Sequence, residues 1–317
     1  RYGEVYKMTE NPAAAQKARH LHGIRLSTGD RVFMVVNFAL LCLIFITILY
    51  PLLYVVSASF SGGLMTGSTG LSLIPAQWTL EGYKAVLEYR YVWSGYLNSI
   101  LYTVIGTAEA MVVQTLCAYA LSRKNFLLGV PVMALCVFSM YFDGGLIPGY
   151  LLIKNLGMLD TIWSVTLPFT ISMYNMIVMR TYFRTQIPDE LLEASQIDGC
   201  GNWRFLMTVV LPLSGPILAV ITLYSAVYFW NSYFYPLVYL SSRSMMPLPN
   251  VLREILILNV SASIESGMDA STAAQLAKRA DVMKYSLIIF ASVPVLMLYP
   301  FVQKYFVKGV MIGAVKG

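Results

Sequence analysis

The stretch EASQIDGCGNWRFLMTVVLP, residues 193–212, decides how this chain is read. It lies between two strongly apolar segments, yet it carries Glu193, Asp198 and Arg204, two glycines and a closing proline. A run of that kind cannot sit in hydrocarbon as it stands. Immediately upstream, IPDELLEASQID places Pro188 where a first helical turn tolerates it, and acids at 189, 190 and 193 near the positive end of a helix. Gly199 stands where such a helix can stop. The spacing therefore predicts a short helix outside the membrane. A second helix, NWRFLMTVVLP, follows with its apolar side toward the membrane surface, and Pro212 is expected to open the next span.

Working outward, composition fixes the class. Of 317 residues, 57% are hydrophobic and 12% charged, about half the charged share of a soluble domain. Roughly 20 apolar residues cross a bilayer as helix. Charge-poor runs at about 32–59, 96–121, 127–142, 162–183, 213–240 and 283–306 meet that condition. LLCLIFITILYPLLYVV is apolar on every face, whereas a barrel strand alternates with period 2. The expected fold is all-α, a polytopic bundle of six transmembrane helices. Its domains are a cytoplasmic N-terminal extension over 1–31, with a helix suggested at 12–20, and a six-helix transmembrane body over 32–317.

Orientation follows from the cations. With the N-terminus inside, residues 1–31, 122–126, 180–212 and the tail from 304 hold 14 of the 22 Lys and Arg, which favours N-in and C-in. The net charge of +6 then reads as a topology signal. No basic, aromatic-interleaved module is present to bind nucleic acid. Cys42, Cys117, Cys136 and Cys200 have no metal or disulfide spacing and read as small buried residues. The sequence contains no GxxxxGK[ST], HExxH or GxSxG, and its two histidines, His20 and His22, lie in the N-terminal extension. No catalytic, metal or cofactor site is expected, and ATP-driven work falls to another chain.

Against that background residues 193–212 resemble the EAA loop of permease subunits of ATP-binding-cassette (ABC) importers. That pattern runs EAA, three residues, Gly, nine residues, Ile, one residue, Leu-Pro. Glu193, Ala194, Gly199, Leu211 and Pro212 fall in register, while Ser195 replaces an Ala and Val209 the Ile. NSI at 98–100 with CAYALSR at 117–123, FWNSYFYPLVYL at 229–240 and VQKYFVKGVMIGAVKG at 302–317 resemble regions of carbohydrate permeases. Residues 150–183 resemble those of subunits serving complex oligo- and polysaccharides. The resemblance spans about residues 27–317.

It implies a type I ABC importer permease fold in a bacterial cytoplasmic membrane. The implied partners are a second permease subunit, two ATPase subunits and an external solute-binding protein that delivers carbohydrate. It also implies that the loop at about 186–212 couples the ATPases to the spans through Glu193, Ala194, Ser195, Asp198 and Gly199. Small Ala194 and Ser195 suit a groove, Gly199 permits close approach, and Glu193 offers a charge. Ser195 could also cap or soften the helix.

The fifth span is crowded with aromatics. Tyr224 and Tyr228 are spaced i, i+4, and Asn231 follows three residues later, so the three share a face suited to sugar C–H faces and hydroxyls, with Trp230 beside them. Packing against a partner subunit is the other reading of that face, and an interface belt suits residues 233–239 equally. Glu109 is an acid inside a span and is expected to meet a cavity or a polar partner. The external loop at 241–282 contains PLPNVLREILIL, which suits either a surface helix contacting the binding protein or a packing lid. Lys154, Arg243 and Arg253 flank the outer side, so the charge pattern is compatible with an acidic glycan. A secondary transporter would instead show repeat symmetry and discontinuous spans. A receptor or structural protein would not need the coupling module.

Overall fold

The computed structural model describes residues 27–61, 78–255, 283–297 and Pro300. Every regular element among them is helical. The chain divides into two compact units, residues 1–54 and 55–317. The first is represented by most of α1 (Thr28–Ser59), an uninterrupted helix that leaves most of its large side chains, Phe33, Phe38 and Phe45 among them, exposed. Apolar on all sides, it has the surface of a helix whose solvent is lipid. The helix at 12–20 expected from sequence lies outside the described residues.

The second unit is organised around α3 (Arg90–Ser122), which follows the short α2 (Glu81–Glu88). It packs along α10 (Gly215–Asn231) on one side and α7 (Met173–Gln186) on another. Small residues permit the approach: a Cβ on Gly95 would lie 2.9 Å from Val251, and one on Gly106 would lie 2.6 Å from Phe229. Met176, Met179 and Phe183 of α7 interlock with Ala118, Tyr119 and Leu121 of α3 and with Ile217 and Ile221 of α10.

Among the described residues, only α1 and α3 are single helices long and apolar enough to cross a membrane. The other spans expected from sequence are bent or interrupted. α4 (Gly129–Tyr141) turns through 115° into α5 (Leu146–Asn155), and α6 (Ile162–Phe169) through 46° into α7. α9 (Asn202–Leu213) turns through 85° into α10. The run at 213–240 ends its helix at Asn231 and resumes as α11 (Phe234–Tyr239). Of the last run, α13 (Met283–Met297) is described as helix.

Pro212 does not open the next span. α9 continues through it, with a π-helical turn over Leu206–Val210 immediately before. Such a turn re-spaces the backbone ladder where proline removes a donor and crowds the preceding turn. The break comes at Ser214 (φ −99°, ψ 13°), and Pro216 then sits in the first turn of α10.

The described part of the 241–282 loop forms a 3₁₀ turn at Arg243–Met245 and α12, residues 248–255. α12 is not a surface helix: Leu248, Val251 and Ile255 are buried against Val86, Val92, Met283 and Leu287. Packing consumes the apolar run. The four cysteines are free and half-buried, less enclosed than the sequence suggested.

Candidate functional site

Two regions of the second unit carry features that packing alone does not use. The first is the polar module read from residues 193–212. α8 (Asp189–Ile197) begins after Pro188, whose ψ of 147° makes it the capping residue rather than part of the first turn. The helix ends in a Schellman motif. Cys200 N–H donates to the Ser195 carbonyl (2.8 Å) and Gly199 N–H to the Gln196 carbonyl (3.0 Å), with Gly199 at φ +74°. That conformation suits glycine and costs an ordinary residue.

Leu192 and Cys200 turn inward to the core, and Phe205, Leu206 and Val210 of α9 are buried in it. Fully burying a side chain such as Phe205 contributes about 1.5–3 kcal/mol, so α8 and α9 are held as one stiff unit. Glu193, Ala194, Asp198 and Gly199 are exposed. Ser195 is half-buried, and its hydroxyl donates back to the Leu192 carbonyl at 2.8 Å, the local back-bond its chemistry suggested. Ile197 is 87% exposed and Trp203 62%, two unburied apolar groups of this module that sequence reading did not single out. Lys124, in the turn after α3, pairs with Asp189 at 2.6 Å. The hydrogen bond and charge of Lys124 hold the Asp189 carboxyl below its ordinary range.

The second region is a cleft of about 690 Å³ between α3, α6, α7 and α10. Tyr224 and Tyr228 line it, both half-exposed. Phe169 faces them, its ring centroid 6.2 Å from that of Tyr228. The inner wall is polar. Gln114 is 1% exposed, donates to the Thr170 carbonyl (2.9 Å), and keeps a buried Oε1 with no acceptance partner. Asn175 and Ser225 are also buried along the cleft. Its described lining contains no charged residue.

The structure does not bring all four fifth-span candidates together. Trp230 and Asn231 line a separate cavity of about 380 Å³ beside α12 and α13. The Trp230 indole N–H is spent on the Ala291 carbonyl (3.2 Å) and its ring meets Tyr96 edge-on. Helical angle alone put Asn231 with the tyrosines, but the helix ends at that residue, which is exposed. Gln114, Phe169 and Asn175 escaped sequence reading; the available signal was a full amide inside an apolar run. Glu109 is partly buried with Thr166 beside it, and its Oε2 is buried without a hydrogen-bond partner.

A body of apolar helices with exposed apolar surfaces, a polar-walled cleft and a polar helical module between apolar segments fits a membrane transport subunit. Bent spans occur at three places, so span continuity does not separate primary from secondary transport. The comparisons do. The chain is 37% identical over 280 residues, 88% of its length and 94% of the relative's, to the polygalacturonan/rhamnogalacturonan transport system permease protein YtcP of Bacillus subtilis. It is 34% identical over 297 residues, 94% of its length and 99% of the relative's, to protein LplC of the same organism. It superposes with a TM-score of 0.78 and 31% identity on a chain from a bacterial ABC transporter involved in the import of the acidic polysaccharide alginate, covering 90% of this chain and 100% of that one. No protein-family model matches the chain. The chain belongs to the permease-subunit family of ABC carbohydrate transporters, integral membrane proteins that are not themselves catalytic.

Proposed function

We propose that this chain forms half of the translocation pathway of an ATP-driven importer for oligosaccharides derived from complex polysaccharides. Its spans number six, in a bacterial cytoplasmic membrane, with both termini on the cytoplasmic side. A second permease subunit completes the pathway, two ATPase subunits dock beneath, and an external solute-binding protein delivers the sugar. Relatives named for polygalacturonan and alginate transport support a polysaccharide-derived and acidic substrate.

The observation that carries the pathway is the 690 Å³ cleft, lined by the rings of Tyr224, Tyr228 and Phe169 and by the buried amides of Gln114 and Asn175. Rings stack on sugar C–H faces, and the unspent Gln114 Oε1 accepts from a hydroxyl. At the other region, Glu193, Ala194, Ser195, Asp198 and Gly199 form the face that receives an ATPase subunit. The stiff α8–α9 unit transmits the ATPase subunits' closure to α10 through the bend at Ser214.

Uptake of oligogalacturonides and of neutral oligosaccharides into vesicles containing the assembled complex tests this reading. Gln114→Leu is expected to lower uptake per assembled complex with recovery of the complex unchanged. Normal uptake per complex in both Gln114→Leu and Tyr228→Ala overturns the pathway assignment.

A further inference from the structure

At the end of the bundle that carries α8, the turn between α3 and α4 and the last turns of α7 enclose a cavity of about 320 Å³. Four cations line it: Arg123, Lys124, Arg180 and Arg184. Lys124 is accounted for by Asp189. Among the described residues the other three have no carboxylate within salt-bridge distance. Arg180 Nε donates to the Leu121 carbonyl (2.8 Å), and Arg123 donates to Ser122 Oγ (3.0 Å) and weakly to the Phe183 carbonyl (3.4 Å). These neutral acceptors, with the Tyr119 ring 5.3 Å from the Arg123 guanidinium, orient the groups without neutralising them; the Asp189 carboxylate feels the charges of Arg123 and Arg184 too, but beyond salt-bridge distance and shared with Lys124. Arg123 Nη1 is buried with no acceptor at all. Arg180 and Arg184 stand i, i+4 on α7, a spacing at which like charges repel. Three converging guanidinium groups with an unmet donor call for an anion, and their planar forks match phosphate.

The opposite wall says which phosphate. Phe126, Val130 and Met133 complete the cavity. They lead onto α4, none of whose residues is buried and which exposes Leu135 and Phe138 further along. A free phosphate would satisfy the arginines and leave that wall unmatched. An amphiphile satisfies both. The cavity also lies where α3 ends at Ser122 and α4 begins at Gly129, so it sits where chain passes between membrane and water, the level of lipid headgroups.

We propose that this cavity binds an acidic glycerophospholipid, with its phosphate held by Arg123, Arg180 and Arg184 and its acyl chains along α4. Occupancy steadies the turn whose Lys124 holds the start of α8, which places a lipid contact one ion pair from that helix.

The test is lipid retention by the intact transporter complex, measured by native mass spectrometry after exchange into detergent with phosphatidylglycerol or phosphatidylcholine. Wild type is expected to retain phosphatidylglycerol in preference. Arg184→Gln, at an exposed position, is expected to weaken that retention about fivefold and Arg180→Gln/Arg184→Gln about 25-fold, from the ordinary worth of a cation near an anionic headgroup. Phosphatidylcholine binding should not change. Equal retention of both lipids by wild type, or equal phosphatidylglycerol retention by wild type and the double variant, overturns the proposal. So does complete displacement of the lipid by inorganic phosphate, which would make the site one for the free anion. Loss of ATPase subunits from the double variant with lipid retention intact would assign the arginines to a protein partner and overturn it as well.

Discussion

A Cβ on Gly106 would stand 2.6 Å from the Phe229 ring, so the seam between α3 and α10 closes only because position 106 has no side chain. Phe229 is buried and packs edge-on against Tyr228, centroids 5.3 Å apart. Gly106→Ala gains about 1 kcal/mol of helix propensity but forces a packed ring aside, which costs about 1–3 kcal/mol. The net expectation is modest destabilisation that also shifts Tyr228 at the cleft. Thermal unfolding of the purified complex should show a lower midpoint for Gly106→Ala and a still lower one for Gly106→Val. A midpoint for Gly106→Ala at or above wild type would mean that the seam opens freely.

Gly199 poses the opposite situation. Among the described residues nothing beyond its chain neighbours lies within 4 Å of a Cβ built there, yet its φ is +74°. Any penalty from bulk must therefore come from a partner, and any intrinsic penalty from backbone strain. Gly199→Asn keeps a residue that tolerates the left-handed region and should assemble with near-normal ATP hydrolysis. Gly199→Trp should leave the subunit in the membrane while abolishing substrate-stimulated hydrolysis. Wild-type stimulation in a purified Gly199→Trp complex would contradict docking on this face.

Asp160 fastens the turn after α5 to the segment after α11. Its carboxylate accepts from the Ser242 hydroxyl and from the Ser241 and Ser242 N–H groups (2.9 Å each), while its own N–H donates to the Tyr239 carbonyl at 2.9 Å. These bonds, the Ser242 hydroxyl foremost, hold its carboxyl below the ordinary range. A depressed folded value means that the stabilisation is complete above the ordinary carboxylate range and is lost as pH falls below it. Asp160→Ala should therefore lower the thermal midpoint at neutral pH, and the gap from wild type should narrow on acidification. A gap independent of pH would place the effect in the backbone at φ 57° rather than in the charge.

Legibility followed the range of the interaction. Helix α8 was readable because its stop signal is local: a Schellman motif is set within six residues, and Gly199 announces it. Tyr224 and Tyr228 were readable as a pair because one helix fixes their spacing. Gln114, Phe169 and Asn175 were not, since the cleft is made by elements far apart in sequence and the 46° bend before α7 is what brings two of them to it. Pro212 misled because proline marks a helix boundary only when the preceding turn cannot re-space its bonds, and here a π-helical turn does so. The apolar run in 241–255 reads the same whether it meets lipid, solvent or the core; Gly95, which admits α12, lies some 150 residues away.

The separation of Tyr228 from Asn231 gives the sharpest test of the pathway. The two are three residues apart on one helix, but Tyr228 borders the 690 Å³ cleft and Asn231 the smaller cavity beside α13. If sugar passes through the larger cleft, Tyr228→Ala removes a stacking ring and a hydroxyl from its path. Uptake per assembled complex should fall about fivefold or more, the worth of one aromatic contact at about 1 kcal/mol or above. Tyr228→Phe, which keeps the ring, should retain most of it. Asn231→Ala lies off that path and should leave uptake per complex within a factor of about two, the spread of a neutral surface change of about 0.5 kcal/mol. The measurement is uptake in reconstituted vesicles normalised to the complex recovered, with ATP hydrolysis in parallel. A reversed pattern, with Asn231→Ala impaired and Tyr228→Ala normal, would move the pathway to the smaller cavity. A loss of recovered complex in Tyr228→Ala, with normal uptake by what remains, would make Tyr228 a contact with the second subunit.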